Sequence, residues 1–233
     1  MAILRSKSEF LAEMNHKFGG QHQIQQLGLQ EPRISLFLAN VSKDDFFGVA
    51  FKENIHDQYI KEGLVDHVEA LQPIRIYEGG CNYKKIRIYP RQCGIMHKIM
   101  KMFSGKKDQT CIVENFYKDP ENNAMYIFIE DIKTHVPFLV FKSARVLIQV
   151  KERSIDVNEG QEGKETNKGG DKKESQMVDG LEVSFCIEAD VEGKVASLIM
   201  PFIYEKLVND FSMWLSVVTS EIREQQKMKV ESK

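Results

Sequence analysis

The last third of the chain limits the fold more than any other part. Leu181, Val183, Phe185, Ile187 and Ala189 alternate with Glu182, Ser184, Cys186, Glu188 and Asp190. A period of two marks a strand with one face buried. Beyond Gly193 the period changes. Val195, Leu198, Ile199, Phe202, Leu207, Phe211, Leu215, Val218 and Ile222 recur at steps of three and four, on one stripe of a helix from about Lys194 to Lys227. Such a helix is ~50 Å long at ~1.5 Å per residue. It needs an extended apolar surface to lie on, and the rest of the sequence offers only a sheet.

The strands of that sheet are legible from their turns. Arg33 to Val41 is the first, with Ile34, Leu36 and Leu38 on one face. Pro73 to Glu78 and Asn82 to Tyr89 flank Gly79-Gly80, which is hairpin chemistry. Gln109 to Lys118 and Ala124 to Thr134 flank Asp119-Pro120 and Asn122-Asn123. Phe138 to Lys151 is a further long strand, and Leu181 to Asp190 the last. After the first strand, Ser42 reads as an N-cap with Asp44 and Asp45 in the first turn of a short helix, and a second helix is expected from Asn54 to Ala70, interrupted near Gly63. The fold class is therefore α+β, a curved antiparallel sheet wrapped around a long C-terminal helix, with two short helices after the first strand.

Residues 1–30 read as an N-terminal helical extension, with an amphipathic helix over 2–18 (Leu4, Phe10, Leu11, Met14, Phe18) and a Gln-rich polar connector. Residues 31–227 form the main domain and 228–233 a tail. Within the domain, 153–180 is so poor in apolar residues that it cannot offset its ordering entropy and is expected as a disordered insertion.

Composition excludes several functions. The 233 residues carry a net charge of −2, which argues against nucleic-acid binding driven by bulk charge. Cys81, Cys93, Cys111 and Cys186 have no CxxC spacing, and the six histidines no metal-ligand spacing, so neither a metal nor a cofactor is expected. The charged N-terminus does not read as a secretory signal, and no stretch approaches the ~20 apolar residues of a membrane span. A cytoplasmic chain, peripheral to membranes, is the expectation. GxSxG, HExxH, GxxxxGK[ST] and GxGxxG are all absent, so no catalytic residues are assigned.

Lys84 to Lys107 contains eight Lys or Arg and no acid. Inside it a short helix is expected with Ile95, Met96, Ile99, Met100 and Phe103 on one face, and Lys98 and Lys101, with Lys106 and Lys107 beyond, as the basic complement. That is the pattern of a membrane-interface helix docking on an anionic leaflet, at ~1 kcal/mol per basic residue; the same pattern also suits a core helix with solvated lysines.

Three segments carry a resemblance. "RIYP" (Arg87 to Pro90), "THVPFLVF" (Thr134 to Phe141) and "LIMPFIYEKLVNDFSMWLSVV" (Leu198 to Val218) resemble the corresponding strand, strand entry and closing helix of VASt domains, the modules of Aster-type sterol transporters. Those belong to the START and birch-pollen-allergen superfamily of helix-grip domains. The GRAM domain and membrane span that accompany VASt domains have no counterpart in this sequence. The resemblance implies an apolar lipid ligand, a sterol or phospholipid, in a hollow between sheet and closing helix. On that picture Ile127, Ile129, Val146, Ile148, Phe185, Ile187, Leu198, Phe202 and Phe211 line the hollow, and Trp214 lies at the edge of the buried stripe. Pro201 is expected to bend or restart the helix. Arg87 and Arg145 are expected on the outer face, solvated. Two other readings remain: a pleckstrin-homology-like membrane or protein docking module with a filled interior, and a cyclase-type enzyme, for which His135 and Glu130 are the nearest acid/base candidates.

Overall fold

The computed structural model describes residues 4–52, 57, 60–61, 65–90, 111–130, 140–156, 177–194 and 196–231. Two helices come first, α1 (Lys7–Phe18) and α2 (Gln21–Gly28). They are followed by β1 (Ile34–Ala39), α3 (Lys43–Ala50), β2 (Val65–Ala70), β3 (Arg75–Ile76), β4 (Asn82–Pro90), β5 (Ile112–Asp119), β6 (Ala124–Glu130), β7 (Val140–Asp156) and β8 (Met177–Glu192). The chain closes with α4 (Ala196–Glu231).

All eight strands join one antiparallel sheet in the order β1-β8-β7-β6-β5-β4-β2, with β3 also paired to β4. β7 and β8 form its longest antiparallel pairing, from Val140 opposite Glu192 to Asp156 opposite Met177, with a bulge that shifts the register between Phe141 and Ser143. Where β8 meets β1 the backbones come so close that a Cβ on Gly180 would lie 2.3 Å from the Leu38 carbonyl oxygen. Only glycine fits there. At the β3–β4 turn, Gly79 and Gly80 both have φ near +70°, the conformation a tight hairpin turn demands.

Period-two alternation sends side chains to two covered faces. Ile129, Val146, Ile148, Phe185 and Ile187 face α3 and α4. Tyr126, Leu147 and Cys186, their neighbours along the same strands, face α1 and α2 with Phe10, Met14, Phe18, Ile24 and Leu27. Helix α1 starts at Ser6, whose hydroxyl accepts the Glu9 N–H. Helix α3 starts at Ser42, whose Oγ accepts the Asp45 N–H at 3.1 Å and donates to the Asp45 carboxylate at 2.9 Å.

The α+β layout and closing helix match expectation, but several boundaries differ. The Gln-rich connector is helix α2, because Ile24 and Leu27 lie one turn apart and bury together. Residues Asp57, Ile60 and Lys61 are helical, yet Val65 onward is strand, not the end of the second helix. Val65 and Val68 mimic a helical step, and pairing with β4 overrides it. The expected disordered insertion is shorter at both ends. Residues 153–156 and 177–180 continue β7 and β8, held by backbone pairing, by Arg153 with Glu182 at 2.9 Å and by Ser154 with Asp179; its middle lies outside the described residues. Helix α4 runs through Pro201 as one element and continues to Glu231, into the expected tail.

Candidate functional site

Helix α4 is held unevenly along its length, with Tyr204, Leu207 and Val208 only partly buried against the core and full burial starting at Phe211. Its buried residues, Phe211, Trp214, Leu215, Val217, Val218 and Ile222, begin near mid-helix. There α3 grips it. Phe46 meets Trp214 edge-on at 6.0 Å, Lys52 pairs with Glu221 at 3.7 Å, and Asp45 with Lys229 at 3.3 Å. The first three turns bury no described side chain. Arg33, stacked on the Tyr204 ring at 4.4 Å, is one of their ties to the body.

Beneath the middle of α4, between it and the sheet, lies a cavity of about 190 Å³. Ile127 and Ile129 of β6, Val146 and Ile148 of β7 and Phe185 of β8 form its floor. Val65 and Val68 of β2, Ile88 of β4, and Ile112 and Phe116 of β5 form one side. Leu207, Phe211, Met213 and Trp214 of α4 close it, Phe211 stacking on Phe185 at 4.4 Å and on Trp214 at 5.7 Å.

Three charged residues complete the lining: Glu114, Lys206 and Asp210. Lys206 donates to both Asp210 oxygens at 3.0 and 2.9 Å. Glu114 is half-buried on β5, between Ile112 and Phe116 on the same face. Burial, reinforced by the Asp210 charge and opposed by that of Lys84, pushes its carboxyl up to about 7.

Six of the nine expected ligand-contact residues meet in this cavity: Ile127, Ile129, Val146, Ile148, Phe185 and Phe211. Ile187 is buried on the same face without reaching the cavity wall. Leu198 and Phe202 are misplaced by the sequence reading. They are 71% and 67% exposed, because the apolar stripe of α4 continues past its contact with the sheet. Trp214 lines the cavity as well as packing on α3. The expected membrane-docking residues, Ile95, Met96, Lys98, Ile99, Met100, Lys101, Phe103, Lys106 and Lys107, lie outside the described residues, as does His135.

Glu130 does not face the cavity. It points to the opposite side of the sheet, where Lys17 and Lys85 each approach to 2.7 Å. Burial acts to raise its pKa, but hydrogen bonds from Lys17, Lys85 and Asn115 outweigh that and hold the carboxyl at about 2. Arg145 is on this outer side as expected, but it is not merely solvated. It donates to the Phe18 carbonyl at 3.3 Å and to Gln23, fastening the α1–α2 junction, with Glu188 at 3.6 Å. Arg87 pairs with Glu69 at 2.9 Å.

Sequence reasoning missed Glu114. Its flanks, Ile112 and Phe116 at i−2 and i+2, mark an acid on an apolar strand face, but Glu130 has the same flanks in Phe128 and Ile132, so the pattern does not say which face looks on the cavity.

No described helix is long and apolar enough to cross a membrane, and no cluster of metal-ligating side chains occurs among the described residues. No family model matches the sequence. No curated protein matches it either. Among solved structures the chain is similar to TTHA0849 from Thermus thermophilus, at 9% identity, over 82% of this chain and 96% of that one, with a TM-score of 0.48.

Proposed function

We propose that the protein is a lipid-binding, lipid-transfer domain for a sterol or phospholipid, working peripherally at a cytosolic membrane surface. The observation that carries this reading is the mostly apolar cavity between the sheet and a closing helix whose first three turns bury no described side chain. The resemblance of three sequence segments to VASt domains supports the same reading. Withdrawing apolar area from water is worth ~25 cal/mol per Å², so a few hundred Å² retains a lipid by several kcal/mol.

At about 190 Å³ the cavity is smaller than the ~300–1,000 Å³ of most ligand pockets. An engineered apolar cavity of ~150 Å³ holds benzene. The space therefore seats one end of a lipid, and admitting the rest requires the first half of α4 to lift. That half has few buried contacts to break. Its exposed Leu198 and Phe202 lie in the first two turns of α4 and give the moving end an apolar contact for a bilayer. The basic, Met-rich stretch 95–107 belongs to this reading on sequence grounds. A pleckstrin-homology-like module needs no cavity and no closing helix of 36 residues, so it ranks second.

Transfer of a fluorescent sterol or phospholipid between liposomes tests the proposal. The wild type is expected to accelerate transfer, and Val146→Phe, which fills the floor, to abolish it at an unchanged melting temperature. No transfer by the wild type, or full transfer by a folded Val146→Phe variant, overturns it.

A further inference from the structure

A plain apolar pocket would have no use for a carboxyl in its wall. Glu114 sits mid-strand on β5, opposite Ile86 of β4, and is part of the cavity lining. Among the described residues none hydrogen-bonds its carboxyl. The charged groups around it come from two elements. On β4, the Lys84 ammonium lies over the Phe51 and Phe116 rings at 4.8 and 4.9 Å and donates to the Lys52 carbonyl at 3.5 Å. On α4, Asp210 and Lys206 hold each other. β2, β6, β7 and β8 contribute only Val, Ile and Phe to the lining. A ligand entering the cavity thus meets one carboxyl with spare acceptor capacity, a second acid nearby, and a lysine already engaged by that acid.

We infer that the cavity takes an amphiphile whose polar end is a primary aliphatic amine, its ammonium docked on Glu114 and its tail on Ile127, Val146 and Phe185. This inference rests on the carrier reading, a lipid held in the cavity, and changes the expected head group from the hydroxyl of a sterol or the phosphate of a phospholipid to an amine. An ammonium supplies N–H donors together with charge, and charge-assisted hydrogen bonds are roughly twice as strong as neutral ones. A carboxylate or phosphate head meets Glu114 and Asp210 as like charges. A hydroxyl head donates one uncharged bond and gains less.

The protonation of Glu114 then links binding to pH. An alkylamine stays charged throughout the neutral range, with a pKa near that of lysine, ~10.4. Glu114 is the group that changes, and only its carboxylate pairs with the ammonium, so amine affinity rises with pH. With the carboxyl near 7, the difference between pH 5.5 and pH 8 is about thirtyfold.

Trp214 is the chain's single tryptophan and lines the cavity, so its emission reports occupancy. The experiment titrates the protein with octylamine, octanol and octanoate, which share a tail and differ in head group, at pH 5.5 and pH 8. Octylamine is expected to bind at least about tenfold tighter than the other two at pH 8 and to lose about thirtyfold at pH 5.5. Glu114→Gln is expected to remove both effects while octanol binding persists, which shows the cavity intact. If octylamine binds no better than octanol, or ignores pH, or ignores Glu114→Gln, the amine inference falls and the carrier reading stands. If none of the three perturbs Trp214, the carrier reading falls and takes the inference with it.

Discussion

Glu114 and Glu130 sit on neighbouring strands of one sheet, face opposite ways, and have pKa values shifted in opposite directions. Glu114 has its pKa raised from 4.5 to about 7, so the unfolded chain gives up this proton first. Folding is therefore favoured below 4.5, and that advantage disappears as pH rises through 7. Glu114→Gln is expected to stabilise the protein by about 2–3 kcal/mol at pH 8 and by little at pH 4, read from urea midpoints. Glu130 is the reverse, lowered from 4.5 to about 2 by the lysines beside it. Its contribution is present above 4.5 and is lost as pH falls through 2. Glu130→Gln is expected to cost about 2–3 kcal/mol at neutral pH, the gap to wild type narrowing as the solution is acidified below 4.5. Equal curves for variant and wild type at both pH values would remove either argument. The two acids were not separable by eye in the sequence. A strand covered on both faces loses the polar-out alternation that normally tells which way an acid points.

At the scale of elements, α4 works as two halves. The stretch from Phe211 to Ile222 is core, and before it Lys206, Leu207 and Asp210 line the cavity while the first turns stay exposed. Amide hydrogen exchange is expected to be faster in 198–208 than in 211–222, and to slow in 198–208 when the cavity fills. Uniform protection along the helix would contradict the lifting motion. Periodicity revealed the helix but not this division, because Leu198 and Phe202 keep the same three- and four-residue steps as Phe211 and Leu215 while extending beyond the sheet. Helices α1 and α2 are equally integral to the packing. Phe18 is fully buried, edge-on to Tyr117 at 6.3 Å and to Tyr126 at 5.8 Å. Phe18→Ala is expected to cost about 3–5 kcal/mol in chemical unfolding; a cost under ~1 kcal/mol would make the N-terminal helices a dispensable extension. The sequence reading set residues 1–30 apart because their landing site is built from Tyr77, Tyr83, Tyr117 and Tyr126, whose hydroxyls disguise an apolar face.

At the scale of the molecule, strands, turns and closing helix were legible because alternation and helical stripe are both consequences of burial against a sheet. The inward set on β6, β7 and β8 followed from the same rule. The cavity did not, since a packed core and a hollow one demand the same apolar residues at the same positions, and only the distance between α4 and the floor separates them. A carrier differs from a packed sheet-and-helix domain in whether the space beneath α4 holds a molecule. Native mass spectrometry of the protein drawn from its own cells tests this directly, with the folded Val146→Phe variant alongside. A bound mass of lipid size is expected on the wild type, displaced by octylamine and missing from the variant. A wild type that flies bare, or a variant that carries the same mass, would contradict the carrier reading.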